Sequence, residues 1–502
     1  MLSKRIARLP VMLQLSALTA LAMLLPAAHA AVHDYHHIAR VFLYSAVMIG
    51  FITTMAGIAS AAQKPRPTPK AQLAILLASY VWIPFLAAIP FSEALREGAF
   101  LAAWWEMLAS FTTTGATRFP YEWQLSDSLH LWRGLIGWMG GLFVYVTGAA
   151  ILMPLGLGGA EITAGRMSAP EGAAISWRGA DLSARLSHYT VLIFPVYALL
   201  TFVLAMLLLS SGAQGLEALM AAMAVLSSSG ITLPSMSPVM GENLLAEVFI
   251  ALFLLLLLTR QSLPGPTVIK RSRALWTNPE LRMAAVLLVA AIVLVMMQRG
   301  LLSSMDSVWD FLKALWGVAF TCLSYLTTTG FVSGGWHEAR PWSGLGEAPV
   351  LVLMGLVMIG GGVATACGGI KLLRVYALVH HAREELALMI EPSSVAGGGA
   401  QLRQLRRGGA WMAWISLMLY TLCLAVVMAL LSLNGIEFER AVVLAVSMLS
   451  TTGPLAGHGP DAVIPLAELP IGAQAVMAGA MIIGRMEVLA ILTLISLRDW
   501  RA

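Results

Sequence analysis

Three consecutive Ser/Thr residues followed by glycine occur four times in this chain. The copies are Thr112-Thr113-Thr114-Gly115, Ser227-Ser228-Ser229-Gly230, Thr327-Thr328-Thr329-Gly330 and Ser450-Thr451-Thr452-Gly453. They recur roughly every 110 residues, each between a short apolar stretch and a longer one, as expected of one unit repeated four times. In a membrane protein, four such turns in equivalent positions can close into a ring. A ring of backbone carbonyls is a device for selecting a dehydrated cation.

The membrane class follows from composition and run length. Hydrophobic residues make up 59% of the chain and charged residues 11%, against about 25% charged in an average soluble domain. Apolar runs near 9–29, 38–61, 72–92, 131–156, 183–210, 243–262, 279–298, 349–376, 408–433 and 470–497 approach the roughly 20 helical residues that cross a bilayer. Lys and Arg gather on alternate sides of this map. One side holds Lys4, Arg5, Arg8, Lys64, Arg66, Lys70, Arg166, Arg178, Arg185, Arg260, Lys270, Arg271, Arg273, Lys371, Arg374, Arg383, Arg403, Arg406 and Arg407. The other carries Glu93, Glu97, Asp127, Glu242, Asp306, Glu338, Asp461 and Glu468. The positive-inside rule places the basic side and both termini in the cytoplasm. The net charge of +5 is spread between spans, so it is a topology signal, and no nucleic-acid partner is expected.

Two features of the N-terminal segment compete. Lys4, Arg5 and Arg8, an apolar run and Ala28-His29-Ala30 match a cleavable secretory signal ending near residue 30. The length of the run, bracketed by Pro10 and Pro26, favours a retained first helix instead. Cys322, Cys367 and Cys423 lack metal-ligand spacing and are expected as small buried residues.

Within each repeat the order is span, half-span, glycine turn, span. In the first copy these are 72–92, 101–113, Gly115 and 131–156. The order recurs in 183–262, 279–376 and 408–497, with half-helices near 214–228, 308–327 and 437–451. A helix that stops inside a membrane leaves carbonyls unsatisfied, which is tolerated where the backbone lines a watery cavity. There the free carbonyls and the negative helix end attract cations. Glycine permits the positive φ that lets consecutive carbonyls point one way. The hydroxyls can supply further neutral oxygens, which suit a hard monovalent ion, or brace the loop. Small residues also serve close helix packing, but four copies in register favour the filter.

The sequence resembles a known family. Residues 106–117, Glu-Met-Leu-Ala-Ser-Phe-Thr-Thr-Thr-Gly-Ala-Thr, resemble the first pore loop of the Trk/Ktr potassium uptake proteins of the TrkH type. Further likenesses are Trp138-Met139-Gly140-Gly141, the segment Trp276-Thr277-Asn278-Pro279-Glu280-Leu281-Arg282, the Gly-rich run Gly360 to Lys371, and Gly484-Arg485-Met486-Glu487. The resemblance covers nearly the whole chain. It implies an all-α polytopic membrane protein with four pseudo-repeats of helix, pore helix, filter loop and helix around a central pore, after two extra N-terminal helices. The corresponding units are a helix pair over 1–71 and pore repeats over 72–160, 161–268, 269–400 (with a broken inner helix) and 401–502.

By the same likeness the potassium filter draws on Thr114, Gly115, Ser229, Gly230, Thr329, Gly330, Thr452 and Gly453. Relatives with serine at a filter glycine tend to carry sodium, so four glycines imply potassium as the transported ion, with no bound cofactor. Gating is implied for Arg485, Gly361, Gly362, Thr365, Gly368, Gly369 and Lys371. The family further implies location in a bacterial inner membrane, a homodimer in contact with membrane lipid, and a separate cytosolic nucleotide-binding regulatory subunit. This chain has no GxGxxG-bearing βαβ segment of its own. The departures are Pro454 after the fourth glycine, and Val363, Ala364 and Ala366 in the Gly-rich run.

Arg485 lies about midway along an apolar span, where an arginine costs at least about 2.5–3.5 kcal/mol and so faces protein or water. Its expected role is a positive residue below the filter; a structural ion pair is the alternative, and Glu487, two positions on, points elsewhere. Lys371 and Arg374 are read first as snorkelling anchors and second as parts of a gate. The group His33, Asp34, His36 and His37 is read as a polar interhelical loop rather than a metal site. Arg383, Glu384 and Glu385 are read as a solvated or docking segment, and Gly397-Gly398-Gly399 as a linker. A sodium- or proton-coupled carrier of another small solute is the competing function, but it asks for ionisable residues at the substrate site, and the loop centres have almost none. An enzyme asks for a nucleophile–base set or metal-ligand pair at membrane depth, and none is seen.

Overall fold

Every regular element in the described part of the chain is helical. The computed structural model describes residues 10–60, 68–95, 99–119, 121, 124–155, 182–233, 243–258, 278–296, 308–336, 348–390, 409–458 and 464–495. The first helices are α1 (Val11–Ala22), α2 (Leu24–Val32) and α3 (His36–Ser60). The first repeat comprises α4 (Pro69–Ala94), the half-helix α5 (Phe100–Phe111) and α6 (Asp127–Thr147), which runs on into a π turn at Gly148–Leu152. The second comprises α7 (Leu182–Ser210), the half-helix α8 (Gly215–Ser227) and α9 (Leu244–Leu257). The third has α10 (Pro279–Met296), α11 (Val308–Leu326), then α12 (Ala348–Ile359) and α13 (Leu372–Ile390) flanking an irregular segment. The fourth has α14 (Ala410–Leu433), the half-helix α15 (Phe438–Leu449), α16 (Ile471–Met486) and α17 (Val488–Ile495).

Among the described residues, seven helices, counting α1 and α2 as one, are long and apolar enough to cross a membrane. Their outer faces carry exposed Phe51, Val191, Phe202, Trp411 and Leu422, while Ser16, Ser79, Arg133 and Arg185 lie inside. This inversion of the soluble pattern suits a lipid surround, where exposed apolar groups cost nothing and polar groups need internal partners. The four half-helices match the expected stretches to within a few residues, α11 over Val308–Leu326 included.

Three expected spans take other forms. The run 470–497 is two helices bent by 95°, because Glu487 has φ 63 and ends α16. The run 349–376 is interrupted over 360–371, where Gly360, Ala364, Gly369 and Lys371 all take positive φ. In the first segment Pro26 does not end a helix; it sits in the opening turn of α2, where a missing N–H is harmless. That segment packs on α3, α4 and α6. Trp82 Nε1 donates to Ser16 Oγ at 3.0 Å, and His29 Nδ1 lies 2.9 Å from Ser128 Oγ. The remainder of 243–262 beyond Leu258, the charges at Lys4, Arg5 and Arg8, the segment at Trp276, and Gly397 to Gly399 lie outside the described residues.

Candidate functional site

All four half-helices stop in the same way. The second residue of each tripeptide, Thr113, Ser228, Thr328 or Thr451, is left-handed with φ between 51 and 56. The third residue's N–H then reaches back to the carbonyls of Ala109, Ala224, Ser324 and Ser447 at 2.8–3.0 Å. The second residue's N–H bonds to Ser110, Val225, Tyr325 and Met448 at 2.9–3.2 Å. This is the Schellman stop, whose left-handed position is usually glycine. Three threonines and a serine hold it here. A β-branched residue at positive φ is a steric outlier, costing roughly 1–3 kcal/mol and tolerated where the surroundings enforce it.

The first and third hydroxyls of each tripeptide serve mainly as braces. Thr112 and Thr114 Oγ1 lie 2.9 Å apart, Ser227 and Ser229 Oγ 2.9 Å, and Thr327 and Thr329 Oγ1 3.3 Å. The side chains of Thr114, Ser229 and Thr329 are thus turned onto their own loops, and what these residues present to their neighbours is backbone. Each loop abuts the next. A Cβ on Gly115 would strike the carbonyl oxygen of Ser229, and one on Gly230 that of Thr329. A Cβ on Gly330 would stand 2.8 Å from Pro454 Cβ, and one on Gly453 would stand 2.6 Å from Thr114 O. The loops therefore close a ring in the order one, two, three, four, one. Close approach at all four positions, joined by positive φ at Gly115, Gly230 and Gly330, is why glycine stands there.

Loop four departs from the others. Gly115, Gly230 and Gly330 have positive φ, with values of 71, 63 and 83, and Gly453 is not among the positive-φ glycines. It opens a 3₁₀ turn over Gly453–His458, and its N–H donates to Thr114 O at 2.5 Å. Proline fixes its own φ and restricts the residue before it. The carbonyl of Thr452 accepts from Ser447 Oγ at 2.8 Å. Gly453 thus departs from the left-handed glycine of the other three turns, as Pro454 after it made plausible, and the fourth carbonyl is shared with a serine.

The segment 360–371 packs against one side of the ring. Gly368 N–H donates to Thr328 Oγ1 at 2.8 Å, and a Cβ on Gly368 would lie 2.6 Å from Thr451 Oγ1. Arg485, in the last turn of α16, donates to Thr113 Oγ1 and, at 2.5 Å, to the carbonyl of Ala366. Arg485 thus clamps the segment to loop one. Gly361 is crowded by Cys367 Sγ, 2.6 Å from where its Cβ would be, and Gly362 accepts from Thr365 Oγ1 at 2.7 Å. Gly369 has φ 76 and sits against Gly360 and Val357. A cavity of about 40 Å³ beside these groups is lined in part by Gly148, Thr365, Gly368, Lys371, Arg485 and Glu487.

Lys371 and Arg374 do not snorkel. Both are buried: Lys371 Nζ donates to the Cys367 carbonyl, and Arg374 pairs with Glu487 at 2.7 Å. The segment folds back over its own helix end and brings Lys371 inside, while the bend at Glu487 turns its carboxylate toward α13.

Sequence reasoning missed a buried brace behind loop one. Glu106 pairs with Arg133 at 2.7 Å and accepts the Arg118 N–H at 2.9 Å. Loop three has a neutral counterpart, in which Ser333 N–H donates to Thr321 Oγ1 at 3.3 Å. Each acceptor stands nine residues before its glycine, a shared spacing that could have revealed them. Glu247 similarly holds Trp316 Nε1 at 2.7 Å and Gly334 N–H at 3.3 Å, and Glu280 holds Val363 N–H at 3.1 Å. These carboxylates are masked in sequence because each partner comes from a distant segment.

Away from the ring, Asp34 and His36 are exposed, 3.9 Å apart, and among the described residues no three His, Cys, Asp or Glu side chains group as metal ligands. Glu384 and Glu385 pair with His380 and His381 along α13 at 3.5 and 3.9 Å. Cys322 and Cys367 are buried and Cys423 is half-buried.

Similarity to known proteins follows the same lines. The chain is 26% identical to the Trk system potassium uptake protein TrkH of Escherichia coli K12, over 80% of this chain and 79% of that one. It is 25% identical to the Salmonella typhimurium TrkH, over 80% and 79%. It is 26% identical to TrkI of Halomonas elongata, over 84% and 82%. The crystal structure of the potassium transporter TrkH from Vibrio parahaemolyticus has the same fold, with a TM-score of 0.75 over 100% of both chains at 21% identity. The TrkH family model, described as a cation transport protein, matches residues 43–499, and the chain belongs to that family.

Proposed function

We propose that this chain takes up potassium ions through the ring of Thr114, Gly115, Ser229, Gly230, Thr329, Gly330, Thr452 and Gly453. The observation that carries the reading is closure: each glycine abuts the next loop, as four half-helix ends gathered around one pore would require. Such a site offers a monovalent cation neutral oxygens and the negative ends of helices. The curated relatives bear the name of potassium uptake proteins, which makes potassium the ion of choice. A transporter of this kind performs no covalent chemistry, and nothing in the reading calls for a bound cofactor. The carrier alternative is weakened by the charge that touches the ring, which is the cation Arg485 rather than a carboxylate.

Arg485 and the segment 360–371, with Gly361, Gly362, Thr365, Gly368, Gly369 and Lys371, form the gate in this reading. Two unit charges 4 Å apart repel by about 4 kcal/mol at an effective dielectric of 20. A guanidinium held against Thr113 therefore opposes a potassium ion at that level, and withdrawal of the segment with Arg485 opens the path. The division into a helix pair over 1–71 and repeats over 72–160, 161–268, 269–400 and 401–502 belongs to this reading. So do the inner-membrane location with both termini cytoplasmic, a homodimer, and a separate cytosolic nucleotide-binding subunit. The last is favoured by the Trk system names of the relatives and by the absence of a nucleotide-binding motif in this sequence.

Rubidium or potassium uptake in bacteria lacking their own potassium importers tests the reading. Expression should restore growth on low potassium. Normal membrane levels of the protein with no uptake, in the presence of a suitable partner subunit, would sink it.

A further inference from the structure

We infer that the slot between α1, α4, α6 and α7 is a binding site for one acyl chain of a membrane phospholipid. The chain rests there against Phe111, the last residue of the half-helix α5. The inference stands on the membrane-embedded fold rather than on the filter reading, and it gives lipid a defined place beside loop one.

A cavity of about 80 Å³ lies between these helices. Its most deeply buried walls are Ile83 of α4 and Phe111 of α5, both 1% exposed. Its mouth is marked by Leu18 of α1, 45% exposed, and by half-buried Ser187 and Thr190 of α7, beside exposed Val191. The cavity therefore leads from the outer face of the helices inward to the half-helix. It is long rather than round. Its lining runs from Val11 to Leu18 on α1 and from Met139 to Val146 on α6, about 10 Å of helix axis in each case. Gln14, Ser187 and Thr190 are the polar side chains of the lining, and Thr190 Oγ1 donates to the Leu186 carbonyl of its own helix at 2.8 Å. The rest is hydrocarbon, aromatic ring or thioether.

Water suits such a place poorly, because an ordered water needs several polar partners. A void is also unfavourable, since the lining forfeits dispersion contacts on its open side. The four helices that bound the slot are all long and apolar enough to cross the membrane, so hydrocarbon chains surround its mouth. A chain that enters strands no polar group, and an elongated apolar slot fits an extended chain better than a compact solute. Phe111 packs on Tyr80 and Phe143, with ring centroids 5.6 and 5.5 Å apart. Its carbonyl lies against Gly140 of α6, where a Cβ would strike it. Rings on one side and helix backbone on the other leave Phe111 little freedom, so a chain pressed against it bears on how loop one is held.

The probe is a phosphatidylglycerol with a diazirine near the end of one acyl chain. It is mixed in rising proportion into phosphatidylethanolamine vesicles that hold the full-length protein, and adducts are mapped by mass spectrometry after illumination. Met139, 9% exposed, lines the slot, whereas Met418 of α14, 43% exposed, faces outward. Adducts at Met139 are expected to saturate as the labelled lipid increases, while those at Met418 rise in proportion. Thr190→Phe fills the slot and should abolish the Met139 adducts without changing those at Met418. Thr190→Val keeps the volume and removes the hydroxyl, and should label like wild type. Adducts at Met418 with none at Met139, or a proportional rise at both, mean surrounding lipid only and overturn the inference. So does Met139 labelling that persists in Thr190→Phe. Should that variant fail to accumulate, Leu15→Phe fills the slot from α1, and the same loss at Met139 is required of it. Labelling is read without transport, so its failure leaves the filter reading standing, and a protein that carries no rubidium leaves the lipid site standing.

Discussion

Loops one and four carry nearly the same tripeptide, and the chain leaves them differently. After Thr114, Gly115 takes φ 71 and the backbone runs on without regular structure through Ala116 and Thr117. After Thr452, Gly453 enters a 3₁₀ turn and Pro454 sits against Gly330 and Gly230. Loop one is held from behind by a charged brace through Glu106, whereas the corresponding position of α15 is Leu444. Loop four is held instead by Tyr420 Oη and Ser450 Oγ at 2.7 Å and by Ser447 on the Thr452 carbonyl. The same helix stop can thus be anchored by charge in one repeat and by hydroxyls in another. The stop is set within the loop, and its anchoring by what lies behind it.

The strongest way to break this comparison is Gly115→Ala. The new Cβ would strike the Ser229 carbonyl, a backbone group that cannot swing aside, and the left-handed φ adds strain. Loss of rubidium uptake at normal protein level is expected, and near-normal uptake would show that loops one and two do not meet as described.

Next in size is Glu106→Gln. Leaving Arg133 buried without its counter-charge costs about 3–5 kcal/mol, read as a lower unfolding midpoint in detergent. Glu106→Gln combined with Arg133→Met should recover most of that loss, because glutamine still accepts the Arg118 N–H and no charge is stranded. Equal instability of the single and double variants would mean that shape, not charge, anchors loop one.

The smallest and sharpest test lies at the junction of loops three and four. Gly330→Ser is expected to slow rubidium uptake and shift the sodium-to-rubidium ratio toward sodium, since its side chain must push Pro454, whose Cβ and Cγ stand 2.8 and 2.9 Å from the new Cβ. In a Pro454→Ala background the same serine should perturb the rate less. If the two substitutions act independently, measured as transport rates in a double-mutant cycle, Pro454 does not define that side of the ring.

Much of the fold was legible because membrane physics leaves few choices. Apolar run length located seven spans, and runs too short to cross located half-helices such as α5 at Phe100–Phe111 and α15 at Phe438–Leu449. The ring glycines were legible through repetition. The second residues of the tripeptides were not singled out, since a threonine at positive φ is what propensity argues against. The bend at Glu487 and the inward turn of Lys371 were also hidden, because each depends on a partner distant in sequence or on the closure of 360–371.

By itself, then, the sequence determined a membrane-embedded helical chain, its four repeated turns and the glycines that those turns need. Run length and recurrence are properties of the chain alone, and the bilayer acts on them directly. Tertiary structure decided which oxygens of distant loops face one another and which cations find distant partners. Those outcomes depend on groups more than a hundred residues apart, as Arg485 is from Thr113 and Arg374 from Glu487, and no local pattern encodes such a meeting.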